Sequence, residues 1–266
     1  MDLNERKRLL KEYMALPRVS GYEGPAARRL REDLGRWAAA SVIDRVGNVI
    51  ATFPGTDPKA PSVMVFAHMD TIGYIITYID PDGFLKVDRM GGVPEKAVAS
   101  SAVLVGTENG TWVDGIIATK SYHVQTPEEK SKADSLAKMF IDIGAASRQQ
   151  VLDLGIQVGC PVSYRPIAFD LLNDRICGSY LDDASGMVTM VEVAQQLAAV
   201  PHKSTVYLVG TVWEEFNARG AMMAARSVHP DMAVCLLGPG AGDTPDLKGT
   251  TNVVMEGGPA VTLFNF

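Results

Sequence analysis

The 266-residue chain contains no apolar run approaching the roughly 18 residues needed to cross a bilayer, which argues against a membrane-spanning helix and a membrane partner. Cysteine is scarce: Cys160, Cys177 and Cys235 are widely spaced and form no CxxC pair. Neither a disulfide framework nor a structural zinc knuckle is therefore expected. The opening residues Met1-Asp2-Leu3-Asn4-Glu5-Arg6-Lys7 lack the apolar core of a signal peptide and read as the first turn of a helix. Without an export signal, reduced thiols in the cytoplasm are the simplest expectation. Positive charge is in deficit, 25 Lys+Arg against 31 Asp+Glu, and the resulting −6 is spread along the chain, which argues against a nucleic-acid partner. No Gly-rich phosphate loop and no Gly-x-Ser-x-Gly elbow occurs, so nucleotide chemistry and serine hydrolysis have no support. Internal repeats, low-complexity tracts and long linkers are absent as well.

What is present is an ordinary globular composition, 47% apolar and 21% charged, with enough apolar side chain to offset the entropy of ordering. The length predicts about one to two domains. Leu3, Leu9, Leu10, Tyr13, Met14 and Leu16 recur at helical spacing until Pro17 stops the pattern. A second helix is expected over about 25–40, with Leu30, Leu34 and Trp37 on one face. Strand-like runs follow at 48–53 and 62–67, and the second is apolar almost throughout, as in a strand buried on both faces. Over residues 71–167, short β-branched runs alternate with the turn signals Pro81-Asp82-Gly83, Gly91-Gly92 and Glu108-Asn109-Gly110, with one short helix near 147–154. After Asp170, helices at 182–200 and 217–228 alternate with strands at 204–212, 231–237 and 260–266. The expected fold class is α/β. Residues 1–70 and 168–266 form an open mixed sheet with helices on both faces, interrupted by an all-β, barrel-like insertion of residues 71–167.

Open α/β sheets bind ligands beyond the carboxyl ends of their strands. Here the first apolar strand ends in His68-Met69-Asp70, and the strand at 204–212 ends in Trp213-Glu214-Glu215. The return from the β insertion reads Tyr180-Leu181-Asp182-Asp183-Ala184-Ser185-Gly186. Each motif has a bland account: a hydrogen-bonded His–Asp pair, a Glu pair at a helix N-terminus, and Asp182 as a helix N-cap. Their conjunction is different, because carboxylates crowded into one crevice repel unless cations hold them. Imidazole and carboxylate ligands suit Zn, Mn or Co, and paired ions typically share a bridging carboxylate. Asp70, two residues after His68, is placed to orient the imidazole. Adjacent Glu214 and Glu215 point different ways, so one binds metal while the other moves a water proton.

Three segments together resemble the co-catalytic metallo-aminopeptidases of the tetrahedral (TET) and glutamyl aminopeptidase type. They are Ala67-His68-Met69-Asp70-Thr71-Ile72-Gly73, Leu181-Asp182-Asp183-Ala184-Ser185-Gly186 and Glu214-Glu215-Phe216-Asn217-Ala218-Arg219-Gly220-Ala221. Within the insertion, Thr126-Pro127-Glu128-Glu129, Ile141-Asp142-Ile143-Gly144-Ala145 and Gly155-Ile156-Gln157-Val158-Gly159 are similar to that family's β domain. The resemblance implies a zinc-exopeptidase-like catalytic domain holding two divalent metal ions, zinc first with cobalt or manganese as alternatives. By position, His68 matches the ligand of one ion, Asp182 the bridging carboxylate, Glu215 the ligand of the other ion and Glu214 the general base. It further implies peptide substrates and self-association through the β insertion into dimers and then dodecamers.

Two departures accompany the resemblance. The family's further carboxylate ligand falls near Cys235 or Leu237, neither of which is acidic, which leaves Cys235 or Asp243 as candidate replacements. The family's last His ligand lies in a C-terminal segment this chain does not contain, and the apolar ending Ala260-Val261-Thr262-Leu263-Phe264-Asn265-Phe266 reads as a chain cut short. Two other functions therefore stay open: a catalytically impaired scaffold homologue, and a related metal-dependent amidohydrolase that removes acyl groups. His123 is expected to be structural and His202 and His229 to be solvated or dipole-facing. Met187, Met190, Met222 and Met223 are expected to fill helix cores.

Overall fold

The computed structural model describes residues 1–262. Helix α1 (Leu3–Met14) begins where the Asp2 side chain accepts the Glu5 amide at 2.8 Å, and it buries Leu9, Tyr13 and Met14. Helix α2 (Gly24–Gly35) buries Leu30 and Leu34. It stops at Gly35, so Trp37 lies beyond the helix and is exposed, contrary to the expected helix to residue 40. Strands β1 (Ala40–Ile43), β2 (Val49–Phe53) and β3 (Val63–His68) follow.

The chain then closes a six-stranded barrel from β4 (Gly73–Ile79), β5 (Leu85–Met90), β6 (Ala102–Gly106), β7 (Trp112–Ala118), β8 (Phe140–Asp142) and β9 (Pro161–Tyr164). The spatial order is β4-β5-β8-β7-β6-β9, and every pairing is antiparallel. Gly83 and Gly110, both at positive φ, turn the β4–β5 and β6–β7 hairpins at two of the three signals read from the sequence, while Gly91-Gly92 leads from β5 to β6, which do not pair. Two short helices, α3 (Pro127–Lys130) and α4 (Arg148–Asp153), interrupt the barrel where one was expected; α3 begins in a Thr126–Glu129 capping box. The barrel has its own core, including Tyr74, Ile76, Leu85, Val105, Ile117 and Ile141.

An unforeseen two-stranded hairpin, β10 (Ala168–Asp170) with β11 (Ile176–Gly178), leads to helix α5 (Leu181–Ala199). Strand β12 (Val206–Thr211), helix α6 (Arg219–Val228) and strand β13 (Met232–Cys235) complete the described elements. Residues 260–262 form no strand, and the rest of the expected terminal strand lies outside the described residues. The main sheet runs β1-β2-β12-β3-β13, with β12, β3 and β13 parallel and β1 and β2 antiparallel to their neighbours. Its alternation is legible in the packing: Ala51, Leu208 and Val65 face the core under α1, α2 and α5, while Ile50, Val209 and Phe66 face α6. Met187 and Met190 are buried as expected, but Met222 and Met223 are exposed on α6. Among the described residues, no helix is long and apolar enough to cross a membrane.

One glycine fixes how close α6 comes to the end of β12. A Cβ on Gly220 would lie 2.2 Å from the Val212 carbonyl oxygen and 2.6 Å from the Val212 nitrogen, backbone that cannot move aside. On an open helix, replacing Gly with Ala stabilises by about 1 kcal/mol. Here overpacking wins, and Gly220→Ala is expected to lower stability by about 1–3 kcal/mol in urea unfolding.

Candidate active site

The parallel strands β3, β12 and β13 deliver their carboxyl ends to one side of the sheet, and the acidic and imidazole groups gather there. His68 ends β3 with its ring buried. Its Nδ1 lies 3.0 Å from the Asp70 backbone oxygen and its Nε2 lies 2.9 Å from Asp182 Oδ1. A main-chain carbonyl thus orients the ring and leaves Nε2 aimed at Asp182. The Asp70 carboxylate, expected to do this, stands 3.6 Å from Nδ1, beyond hydrogen-bond range. Burial alone would lower the His68 pKa, but the Asp182 and Asp70 carboxylates outweigh it and push it up to about 10.

Asp70 has a different task. Its fully buried carboxylate accepts the Ser20 hydroxyl and the backbone amides of Glu214 (2.9 Å) and Glu215 (3.1 Å). It therefore holds the turn on which both glutamates stand. Burial would raise its carboxyl, yet the His68 imidazole, the Ser20 hydroxyl and the Glu214 amide hold it below the usual carboxylate range. The turn, Glu214–Phe216, is entered through Trp213 at φ 54° and left through Asn217 at 66° and Ala218 at 51°. Three non-glycine residues in left-handed backbone persist only where the surroundings over-determine them.

Asp182 and Asp183 open α5 with non-helical backbone. Asp183 is buried and accepts the Gly186 amide at 2.8 Å and the Ser185 hydroxyl at 3.2 Å, so Asp183 caps the helix. Asp182, the residue with an expected capping alternative, instead keeps a 62% exposed side chain directed at His68. Asp183 was missed as a site residue because two adjacent Asp residues at a helix start are indistinguishable until the backbone is known. Burial lifts Asp183 to about 7, and burial followed by Asp70 and Glu214 lifts Glu215 to about 7. Burial likewise raises Glu214.

Arg18 answers this negative charge from beneath. Its fully buried guanidinium donates to the backbone oxygens of Tyr13 (3.2 Å) and Tyr180 (3.0 Å) and lies 5.5 Å from the centre of the Tyr180 ring. Burial lowers its pKa to about 10 while Tyr180, Asp183, Asp70 and Asp182 pull the other way. No motif marked Arg18 in the sequence. A crevice of about 460 Å³ opens beside these groups, lined by Thr71, Ile72, Tyr164, Tyr180, Asp182 and Glu215 among others.

The candidate replacement ligands behave differently from one another. Asp243 accepts the Met255 amide at 2.6 Å and so closes its own loop. Cys235 ends β13 with its thiol pushed up to about 11 by partial loss of solvent around the sulfur and then by Asp183, Glu214 and Asp182. His123 is exposed, His202 Nδ1 lies 2.7 Å from the Ser204 carbonyl oxygen, and His229 closes α6. Among the described residues, no three His, Cys, Asp or Glu side chains already form an ion cage. The donor chemistry nonetheless suits a divalent cation. Asp183 Oδ2 is buried without a partner, two carboxyls are held protonatable near neutrality, and His68 and Asp182 approach as closely as two ligands of one ion.

Comparison with known proteins adds an independent line. Residues 47–265 match the M42 glutamyl aminopeptidase family. The chain is 34% identical to the lysyl aminopeptidase of Pyrococcus furiosus over 86% of this chain and 65% of that protein. It superposes on the aminopeptidase APDkam598 of Desulfurococcus kamchatkensis with a TM-score of 0.87 at 33% identity, covering 93% of this chain and 67% of that one. It also superposes on the Pyrococcus horikoshii TET1 peptidase, which assembles into a tetrahedron or a large octahedral shell, with a TM-score of 0.80 at 26% identity over 91% and 72% of the two chains. The chain spans just under two thirds of the length of the first curated relatives it matches.

Replacing Asp70 tests the anchor. Asp70→Ala strands two amides and a hydroxyl in the interior, each costing about 1–3 kcal/mol, so urea unfolding is expected to show a loss of at least about 3 kcal/mol. Asp70→Asn, which keeps one acceptor oxygen, is expected to lose less.

Proposed function

Because the chain belongs to the M42 glutamyl aminopeptidase family, we propose that it hydrolyses the N-terminal residue from short peptides with the help of two divalent metal ions. The observation that carries this is the meeting of His68, Asp182, Glu214 and Glu215 beside one crevice, with both glutamates raised above their ordinary values. His68 and Asp182 would hold one ion, Asp182 would be shared, and Glu215 would hold the other. Zinc is the first choice, with cobalt or manganese as alternatives that these ligands also accept. Ions there supply Lewis acidity toward the peptide carbonyl and make water more acidic.

The chain's own residues do the rest. Glu214, half buried and raised, accepts the proton of the attacking water and delivers it to the departing amine nitrogen. Asp70 keeps that carboxylate at its station by holding its backbone amide. Tyr164, Tyr180 and Ile72 exclude water around the substrate.

Residues 71–167 serve as the self-association domain, forming dimers and then dodecamers. The exposed Tyr122 and Val124 on the barrel side of the chain support this, as does the assembly of the similar P. horikoshii peptidase. The unpaired Cys160, Cys177 and Cys235 support a cytoplasmic home.

A second reading, an impaired scaffold homologue, is favoured by one observation: the end of β13 offers Cys235 and Leu237 in place of a carboxylate. Two measurements separate it from the first. The purified protein with added zinc, cobalt or manganese is expected to release N-terminal residues from a peptide panel and to carry two ions by elemental analysis; neither result is compatible with the scaffold. An acylated-substrate panel run alongside is expected to stay uncleaved, which sets aside a deacylase. Glu214→Gln is expected to lower kcat by about 10²–10⁴ while bound metal and KM hold.

A further inference from the structure

Glu23 sits at the start of α2, yet its side chain makes no capping bond to that helix. Its Oε1 turns away, accepting the Gly21 amide at 3.0 Å and the Trp213 amide at 3.2 Å. Glu23 is itself buried, and burial raises its carboxyl. Together with the two amides taken by Asp70, this means that Trp213, Glu214 and Glu215 present three consecutive N–H groups to two buried carboxylates. The same short segment reaches the other two junctions. Arg18 donates to the Tyr180 oxygen at the entry to α5, and Ser20 donates to Asp70 at the end of β3. Two backbone bonds, from Ser20 to the Thr71 oxygen (3.2 Å) and from Thr71 to the Arg18 oxygen (3.0 Å), lash the segment alongside the chain that leaves β3.

We propose that residues 18–23 form a clamp that registers the three site-bearing loops against one another, with Glu23 the positioning residue for Glu214. This rests on the hydrolytic role given to Glu214 above. A misplacement of about 1 Å at a reacting group costs on the order of 10²-fold in rate. Releasing the Trp213 amide is therefore expected to act on the chemical step and not on substrate capture.

The test compares Glu23→Ala with Glu23→Gln in the full chain, reading peptide hydrolysis and amide hydrogen exchange side by side. Glu23→Ala is expected to lower kcat by about 10²-fold with KM little changed, and to lose exchange protection at Trp213 while the barrel strands keep theirs. Glu23→Gln retains an acceptor oxygen at the same reach and is expected to restore both. If Glu23→Ala does not fold, Glu23→Asp, one methylene shorter, replaces it. Unchanged kcat and unchanged Trp213 protection in Glu23→Ala overturn the proposal, as does a Gln variant no better than Ala. Should the unmodified protein cleave no peptide, the hydrolytic reading fails, and the Trp213 exchange result alone decides the clamp.

Discussion

Burying the Asp70 carboxylate removes a negative charge from water, which is tolerable only if strong donors replace the lost hydration. Three groups do so, from two places in the chain: a hydroxyl from the N-terminal segment and two amides from the loop after β12. Satisfying the charge and assembling the site are the same event. The left-handed residues flanking that loop are not stable on their own, so the loop's shape is borrowed from the carboxylate that it caps. Remove the charge and the glutamates lose their common frame.

A second constraint follows, because one anchored carboxylate draws others near. Asp182, Asp183, Glu214 and Glu215 converge around it, and burial first, with neighbouring carboxylates adding to it, raises Glu214, Glu215 and Asp183. The fold answers with one internal cation, Arg18, and one imidazole pulled toward its charged form. That compensation is partial. The residual negative charge suits the crevice to the divalent ions of the function proposed above.

Much of this was legible in the residues. The uninterrupted apolar run Val63-Met64-Val65-Phe66-Ala67 announced a central strand, and it is hydrogen-bonded on both sides. The turn signals at Gly83 and Gly110 announced barrel hairpins, because only particular backbone angles suit such turns. The three acidic junctions were visible because strand ends in open sheets are where ligands bind. What stayed hidden depends on backbone direction. Which of two adjacent Asp residues caps α5, whether Asp70 presents its carboxylate or its carbonyl to His68, and where Glu23 points are all decided by a few dihedral angles. Composition says nothing of those. Met222 and Met223 carry the apolar label of a core helix, yet they face outward on α6. Trp37 fell outside α2 because the helix stops at Gly35, before the apolar pattern does.

The splice point of the barrel also shapes how the molecule comes to be. Residues 63–68 pair with 206–211, and residues 49–53 pair with 206–210, across everything that the barrel contains. Until that intervening stretch condenses, the two halves of the sheet are tethered by a very long flexible loop, and closing such loops costs entropy and time. Within the barrel, the β4–β5 and β6–β7 pairs are joined by short hairpins and need no such search. Once closed, the barrel pairs β4 with β9, which brings its own two ends together and shortens the loop between the halves of the main sheet. The inserted barrel is thus also a clasp for the sheet that it interrupts.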